Sequence, residues 1–339
     1  MASADSRAGT PAGLPAEAPT GLSAEAFAGP PAGSSGGSLL ASLLAAMARP
    51  AWWAIALGAF LVRGGILVVF LPIVALPTVA GLANSFGPAL VGFVFGGVSP
   101  AFVLVVASLA IGLTIWLVAG GLLGAALDLA LVRDAARDEE LEAGPAPRFG
   151  GPGRAFLVRV LAHLPTAVVI GLGAIRLVEA SYAELIRPGD PSLPVAVRVA
   201  LRIPEVVALL AATWIVGEAL GGLAVRHLAW GASVGTALGR GVRDLGRPSG
   251  IATLVVTDVA LVAVVAGSAV SAGIAWDHLR VVLVDGRPPP DVQLALLVFA
   301  LTWLAGLWLI ALSVAWRAVA WTFEVGRHQP PRTIESHGP

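Results

Sequence analysis

Three ionisable residues stand inside long apolar runs of this 339-residue chain: Arg63, Glu218 and Asp258. An ionisable group at the centre of a bilayer costs about 2.5–3.5 kcal/mol on translocon scales, so each needs a partner or a role. With a helical rise of about 1.5 Å per residue, the two acids lie at a depth that a long arginine side chain can reach. We therefore predict that Arg63 contacts Glu218, Asp258 or both.

This predicted cluster has two interpretations. In one, the three side chains line a polar cavity or relay that serves transport. In the other, they form structural ion pairs, or their side chains extend towards the nearest membrane surface. Asp258 could also be satisfied by local hydroxyl groups, because Thr257 precedes it. A second pair, Arg176 with Glu205, is predicted in the opposite half of the membrane.

The sequence gives little indication of enzymatic chemistry. The chain has no Cys, which excludes disulfides, thiol nucleophiles and Cys-ligated metals. It has no Lys and no HExxH, so the phosphate-binding loop and the zinc-protease motif are excluded. His163 and His227 are isolated, and the acidic cluster Asp138, Glu139, Glu140 and Glu142 is more typical of a solvated surface than of a metal site. We predict no catalytic residue, metal or cofactor, and no enzyme.

The elements that must position these charges are membrane-spanning helices. Hydrophobic residues make up 57% of the chain and charged residues 12%, and the mean hydropathy is +0.87. Soluble domains carry about 25% charged residues. Apolar runs of this length predict an all-α, polytopic membrane protein. The six predicted spans are 52–80, 101–127, 160–183, 203–225, 251–276 and 293–316.

The rest of the chain divides into tails and short connecting segments. Residues 1–37 lack a signal peptide and have the composition of a disordered tail, and residues 326–339 are predicted to be a second one, leaving 38–325 as the transmembrane domain. Residues 89–98 are too short to span and indicate a re-entrant segment, an interfacial segment or a packed loop. Residues 280–284 have a strand-like composition.

Orientation follows from the distribution of arginine. With both termini in the cytoplasm, most loop arginines lie inside, and the outer loops hold only Arg187, Arg198, Arg202, Arg280 and Arg287. The prolines Pro50, Pro165 and Pro248 each precede a span, which predicts three helical hairpins. A simple preference of proline for helix starts is the alternative. Arginine without lysine, with abundant Ala, Gly and Pro, indicates a bacterial protein of the inner membrane.

A basic segment precedes the fifth span. Val234, Leu238, Val242 and Leu245 share one helical face, and three arginines point away from it. Such a helix can lie in the headgroup layer and attract anionic lipid, and an ordinary positive-inside loop is the alternative. The predicted headgroup contacts are Arg240, Arg243 and Arg247. We expect membrane lipids and other membrane subunits as partners, and no nucleic acid because the net charge is zero.

The same segment carries a family resemblance. The chain resembles families of six-span bacterial membrane proteins that are similar to the membrane domain of some glycerophosphodiester phosphodiesterases. The resemblance lies in the layout of 38–325 and mainly in the segment TALGRGVRDLGRPSGIATLVV. The resemblance implies a membrane fold, but the chain holds no phosphodiesterase catalytic domain. A scaffold or accessory subunit is the first hypothesis, supported by the small-residue spacings Gly120/Gly124 and Gly217/Gly221. The second is a permease or a lipid or small-molecule transporter that uses the buried charges.

Overall fold

Helices form all of the regular structure in the described part of a computed structural model, with no strand there. The described residues are 35–70, 73, 99–138, 151–187, 189, 190, 193 and 195–328. The helices are α1 (Ser35–Ala48), α2 (Pro50–Phe60), α3 (Ile66–Phe70), α4 (Pro100–Asp138), α5 (Gly151–Ala162), α6 (Leu164–Ile186), α7 (Val195–Arg202), α8 (Pro204–Ala229), α9 (Val234–Leu245), α10 (Pro248–Val284) and α11 (Pro289–Arg327). A π-helical turn, Leu61–Gly65, joins α2 to α3.

Six stretches of these residues are long and apolar enough to cross a membrane. This confirms the predicted all-helical, multi-span class. Prolines occupy the first turns of α2, α6, α8, α10 and α11, where a missing backbone N–H costs nothing. The helix starts predicted at Pro50, Pro165 and Pro248 are therefore found. The stretches are Pro50–Phe70, Val103–Asp138, Leu164–Glu184, Pro204–Ala229, Pro248–Val284 and Pro289–Arg327.

Several predicted boundaries were wrong. The first helix begins at Ser35 and the last ends at Arg327, so both extend into the segments predicted as tails. Residues 280–284 are helical rather than strand-like, because α10 continues to Val284 and buries Leu279 and Val282 against α11. Some of the segments with predictions lie outside the described residues. They are 1–34, 89–98, 329–339 and the acidic residues at 139, 140 and 142.

The helices pack most closely at the end of the bundle where α2 begins and α4 ends. Arg49 bonds to Asp138 there, and Trp52 Nε1 donates to Asp134 Oδ2 at 2.6 Å. Trp52 is fully buried, so it is a core residue. We call this region the packed end. Its core is rich in alanine and valine, which let helices approach closely: Ala56, Ala125, Leu131, Val132, Ala135, Ala155, Val158, Ala224, Val225, Ala315 and Val319.

The opposite half of the bundle buries much less. Side chains from Val103 to Ala119 on α4 are all exposed. Elsewhere in that half, α10 and α11 remain paired through Leu279, Val282 and Ala295, and α6, α7 and α8 meet around Ala180. Large apolar surfaces of this kind are stable in lipid or against other apolar helices. The fold therefore places a close-packed end beside an apolar half with few internal contacts.

Candidate functional site

A continuous chain of ion pairs joins six helical segments between the packed end and the middle of the bundle. Arg63 Nη2 lies 2.6 Å from Asp128 Oδ2, and the same carboxylate bonds to Arg159. Arg159 Nη1 lies 3.3 Å from Glu218 Oε2. The alternation of sign means that each charge has an opposite neighbour, which offsets the cost of removing it from water. The members of this ion-pair chain are Arg63, Asp128, Arg159, Glu218, Arg317 and Asp258.

The partner predicted for Arg63 needs correction. No hydrogen bond or ion pair joins Arg63 directly to Glu218 or Asp258 among the described residues. Its guanidinium turns to α4 instead, where it pairs with Asp128 and donates to the Gly124 carbonyl at 2.7 Å. The three predicted residues belong to one network, but the intervening Asp128, Arg159 and Arg317 carry the connection.

Asp258 forms its ion pair with Arg317 of α11. The Arg317 guanidinium also lies 4.4 Å from the centre of the Trp321 ring, which adds a cation–π contact, and 4.0 Å from Glu218. The hydroxyl group of Thr257 does not serve Asp258, because it donates to the Thr253 carbonyl and accepts from Trp321 Nε1. Asp258 is therefore neutralised by a neighbouring helix rather than by local hydroxyl groups.

A histidine extends the ion-pair chain at the junction of α5 and α6. His163 Nδ1 donates to the Arg159 carbonyl at 2.9 Å, so its Nε2 is directed at Glu218, 3.4 Å away. The nearby Glu218 carboxylate raises the pKa of His163, and partial burial opposes the rise. A protonated ring satisfies both contacts, since each nitrogen then donates. The structure shows no group of metal-ligating side chains in the described region.

Glycines allow the charged side chains to reach one another. A Cβ at Gly124 would lie 2.7 Å from Arg63 Nε, and one at Gly120 would lie 2.6 Å from the Val62 carbonyl oxygen. On α8, a Cβ at Gly217 would lie 2.9 Å from the His163 ring. The small-residue spacings noted in the sequence thus mark contacts within this chain. They do not form free faces on its surface.

The turn that carries Arg63 is itself irregular. Leu61–Gly65 is π-helical, and Gly64 has φ of +105°, a conformation that favours glycine. π-Helical turns rotate the following residues and occur often at functional sites. Here the turn itself contributes Arg63 to the ion-pair chain.

The second predicted pair lies in the other half of the bundle. Arg176 Nη2 is 3.3 Å from Glu205 Oε1, and Arg176 Nη1 is 2.9 Å from Glu179 Oε2. All three side chains are more than half exposed. Exposed ion pairs contribute little to stability. A more buried group, which sequence reasoning missed, lies nearby: Glu184 is 3.2 Å from Arg198 and 2.9 Å from Arg202.

The basic segment before the fifth span is a docked helix. On α9 the buried side is Ala237, Gly241 and Asp244, so the predicted apolar face is rotated, and Val242 is 59% exposed. Of the predicted headgroup arginines, Arg243 is exposed and Arg240 is half-buried.

Arg247, the third of these arginines, is held within the protein. Its Nη1 donates to Asp244 Oδ1 at 2.7 Å, and the other oxygen of that carboxylate lies 2.7 Å from His227 Nε2. The contact between Asp244 and His227 therefore holds α9 against α8. Asp244 is the one acid in its segment, and that is the sequence signal that could have indicated this contact.

The small number of converging groups limits what the site can do chemically. The ion-pair chain offers carboxylates and guanidinium groups that are already paired, and one histidine that can take up a proton. Comparisons with protein-family models, with curated proteins and with solved structures found no match for this chain.

Proposed function

We propose that this protein is a non-enzymatic scaffold or accessory subunit of a membrane. Its charged residues hold the spans together, and its apolar half faces lipid or the helices of another subunit. The observation that carries the proposal is the ion-pair chain, in which every charge has a partner of opposite sign at contact distance. Charges committed to each other in this way serve packing, because a transported ion would have to compete with a neighbour already in place.

We further propose three helical hairpins, with both termini in the cytoplasm of a bacterial inner membrane. Contacts between α2 and α4, between α6 and α8, and between α10 and α11 support the hairpins. The short helices α1 and α9 lie at the packed end, which supports their placement at the interface between membrane and water. The resemblance to the membrane domain of some glycerophosphodiester phosphodiesterases remains part of this proposal, without the phosphodiesterase activity.

The second candidate is a permease or a lipid or small-molecule transporter. One observation favours it: the ion-pair chain is not fully buried. The side chains of Arg63, Glu218 and Asp258 remain 22%, 23% and 24% exposed, respectively. Water that reached them could hydrate a relay that passes through Glu218 and His163. The two candidates therefore differ in whether ions move through the protein.

The scaffold proposal makes a quantitative prediction for Asp128. The variant Asp128→Asn leaves both Arg63 and Arg159 without this carboxylate, and breaking a buried pair by removing one partner costs about 3–5 kcal/mol. We expect a lower melting temperature in detergent. Asp277→Asn is the matched control, because Asp277 is 74% exposed and its partner Arg280 is 3.7 Å away, and it should leave the melting temperature unchanged.

Proteoliposomes separate the two functions. Wild-type protein and the variant Glu218→Gln/Asp258→Asn are reconstituted with a pH-sensitive dye, and proton flux is measured under an imposed gradient. The scaffold proposal requires no flux above that of empty liposomes. Flux through the wild-type protein that disappears in a folded double variant would establish the transporter and refute the scaffold.

A further inference from the structure

A small pocket near the packed end is lined by two arginines and lies outside the ion-pair chain. Leu129 and Arg133 of α4, Gly151 and Arg154 of α5, and Leu228 of α8 surround it. Among the described residues that line it, none is acidic. Arg133 is five residues beyond Asp128, so it lies roughly 7 Å further along the helix, towards the packed end.

The two arginines differ from those of the ion-pair chain because neither has a carboxylate partner among the described residues. Within the described residues, Arg133 makes no hydrogen bond or ion pair, and its Nε is buried without an acceptor. Arg154 has one hydrogen bond there, from Nη2 to the Ala232 carbonyl at 3.2 Å. By contrast, Arg63, Arg159 and Arg317 each contact a carboxylate. A buried donor without a partner costs about 1–3 kcal/mol, which a bound acceptor would recover.

The backbone adds to the attraction of this pocket for an anion. Gly151 is buried and is the first residue of the twelve-residue α5. The first N–H groups of a helix have no intrahelical acceptor, and they carry partial positive charge. Two guanidinium groups and a helix N-terminus that converge on one pocket form a site for an oxyanion, and guanidinium groups bind phosphate through two parallel hydrogen bonds.

We propose that the mouth of this pocket, whose interior has room for about one water molecule, binds a phosphate-bearing anion. Arg133 and Arg154 contact the phosphate oxygens, and Leu129 and Leu228 provide an apolar wall beside them. Two sources share this chemistry: the headgroup of an anionic phospholipid, and free inorganic phosphate. The location beside apolar spans is typical of basic pockets that hold lipid headgroups. The inference is independent of whether the protein is a scaffold or a transporter.

The test uses the purified full-length chain with its lipids removed. Its melting temperature is followed as phosphatidylglycerol, phosphatidylcholine or inorganic phosphate is added. The site variant is Arg133→Gln/Arg154→Gln. The matched control is Arg137→Gln/Arg280→Gln, which removes the same charge from two exposed positions, on α4 and α10.

We expect an anion-dependent rise in the melting temperature of the wild-type protein and the control. In the site variant the apparent affinity should fall at least about tenfold, the effect of losing about 1.4 kcal/mol of charge-assisted contacts. Its melting temperature without ligand should fall little, because neither arginine has an acidic partner among the described residues and only one hydrogen bond, from Arg154 to the Ala232 carbonyl, is lost. A response to phosphatidylglycerol alone identifies the headgroup, and a response to inorganic phosphate identifies the free anion.

Three results would overturn the proposal. One is the absence of a shift with either phosphate source. Another is an equal loss of response in the control, since that indicates diffuse surface charge. The third is a ligand-free melting temperature that falls in the site variant while the response persists, because the arginines would then be structural.

Discussion

At the scale of single residues, His163 gives the ion-pair chain a dependence on pH. Its Nδ1–H is committed to the Arg159 carbonyl, so a neutral ring would direct its Nε2 lone pair at the Glu218 carboxylate. Protonation converts that repulsion into attraction. The pKa of His163 is therefore raised above its ordinary value of 6.5 by Glu218. Folding stabilises the protonated form, and the ring edge also packs against Trp214.

The sign of the effect follows from linkage. A raised pKa means that the stabilisation is fully present below about pH 6.5 and is lost as the pH rises through the folded-state pKa. We predict that the wild type melts at a higher temperature than His163→Gln at low pH, and that the difference narrows as the pH increases. His278→Gln, at an exposed histidine, should show no such narrowing. A difference that widens with pH would contradict the assignment.

At the scale of elements, the approach of the π-helical turn to α4 depends on Gly124. We predict that Gly124→Val displaces the Arg63 side chain, because a Cβ there would lie 2.7 Å from its Nε and 3.0 Å from its Cγ. The Arg63–Asp128 pair then breaks, at a cost of about 1–3 kcal/mol for the overpacking alone. Gly112→Val on the same helix has no atom within 4 Å and serves as the control. Equal melting temperatures for the two variants would show that this contact is unimportant.

Sequence reasoning placed the charges at similar depths but could not pair them. Rise per residue gives height along a helix, whereas pairing depends on which helices are neighbours. Asp128 follows the predicted end of the second span at residue 127, although α4 is packed on that side against α2 and α5. Arg317 follows the predicted end of the sixth span at residue 316, yet α11 continues for ten more residues to Arg327 and places Arg317 against α10.

At the scale of the whole molecule, the spans were predictable because each needs only a long apolar run. The helix starts were predictable because proline fixes them. Helix lengths were not predictable, since contacts at the packed end extend α4 and α11 and the pairing of α10 with α11 at the opposite end extends α10. A helix of 39 residues is about 58 Å long, whereas about 30 Å suffices to cross the hydrocarbon core.

The orientation of the whole molecule is its last testable property. Arg49, Arg137 and Arg243 lie at the packed end, and the positive-inside rule assigns that end to the cytoplasm. Because the chain has no Cys, labelling of a single introduced cysteine shows on which side of the membrane it lies, without background from other cysteines. Gly246→Cys is exposed at the packed end, and Pro288→Cys is exposed in the turn between α10 and α11.

We predict that a membrane-impermeant maleimide labels Pro288→Cys in intact cells and labels Gly246→Cys only after the cells are permeabilised. The reverse pattern would place the packed end, with its phosphate pocket, outside the cell, and labelling of both in intact cells would contradict a span between them.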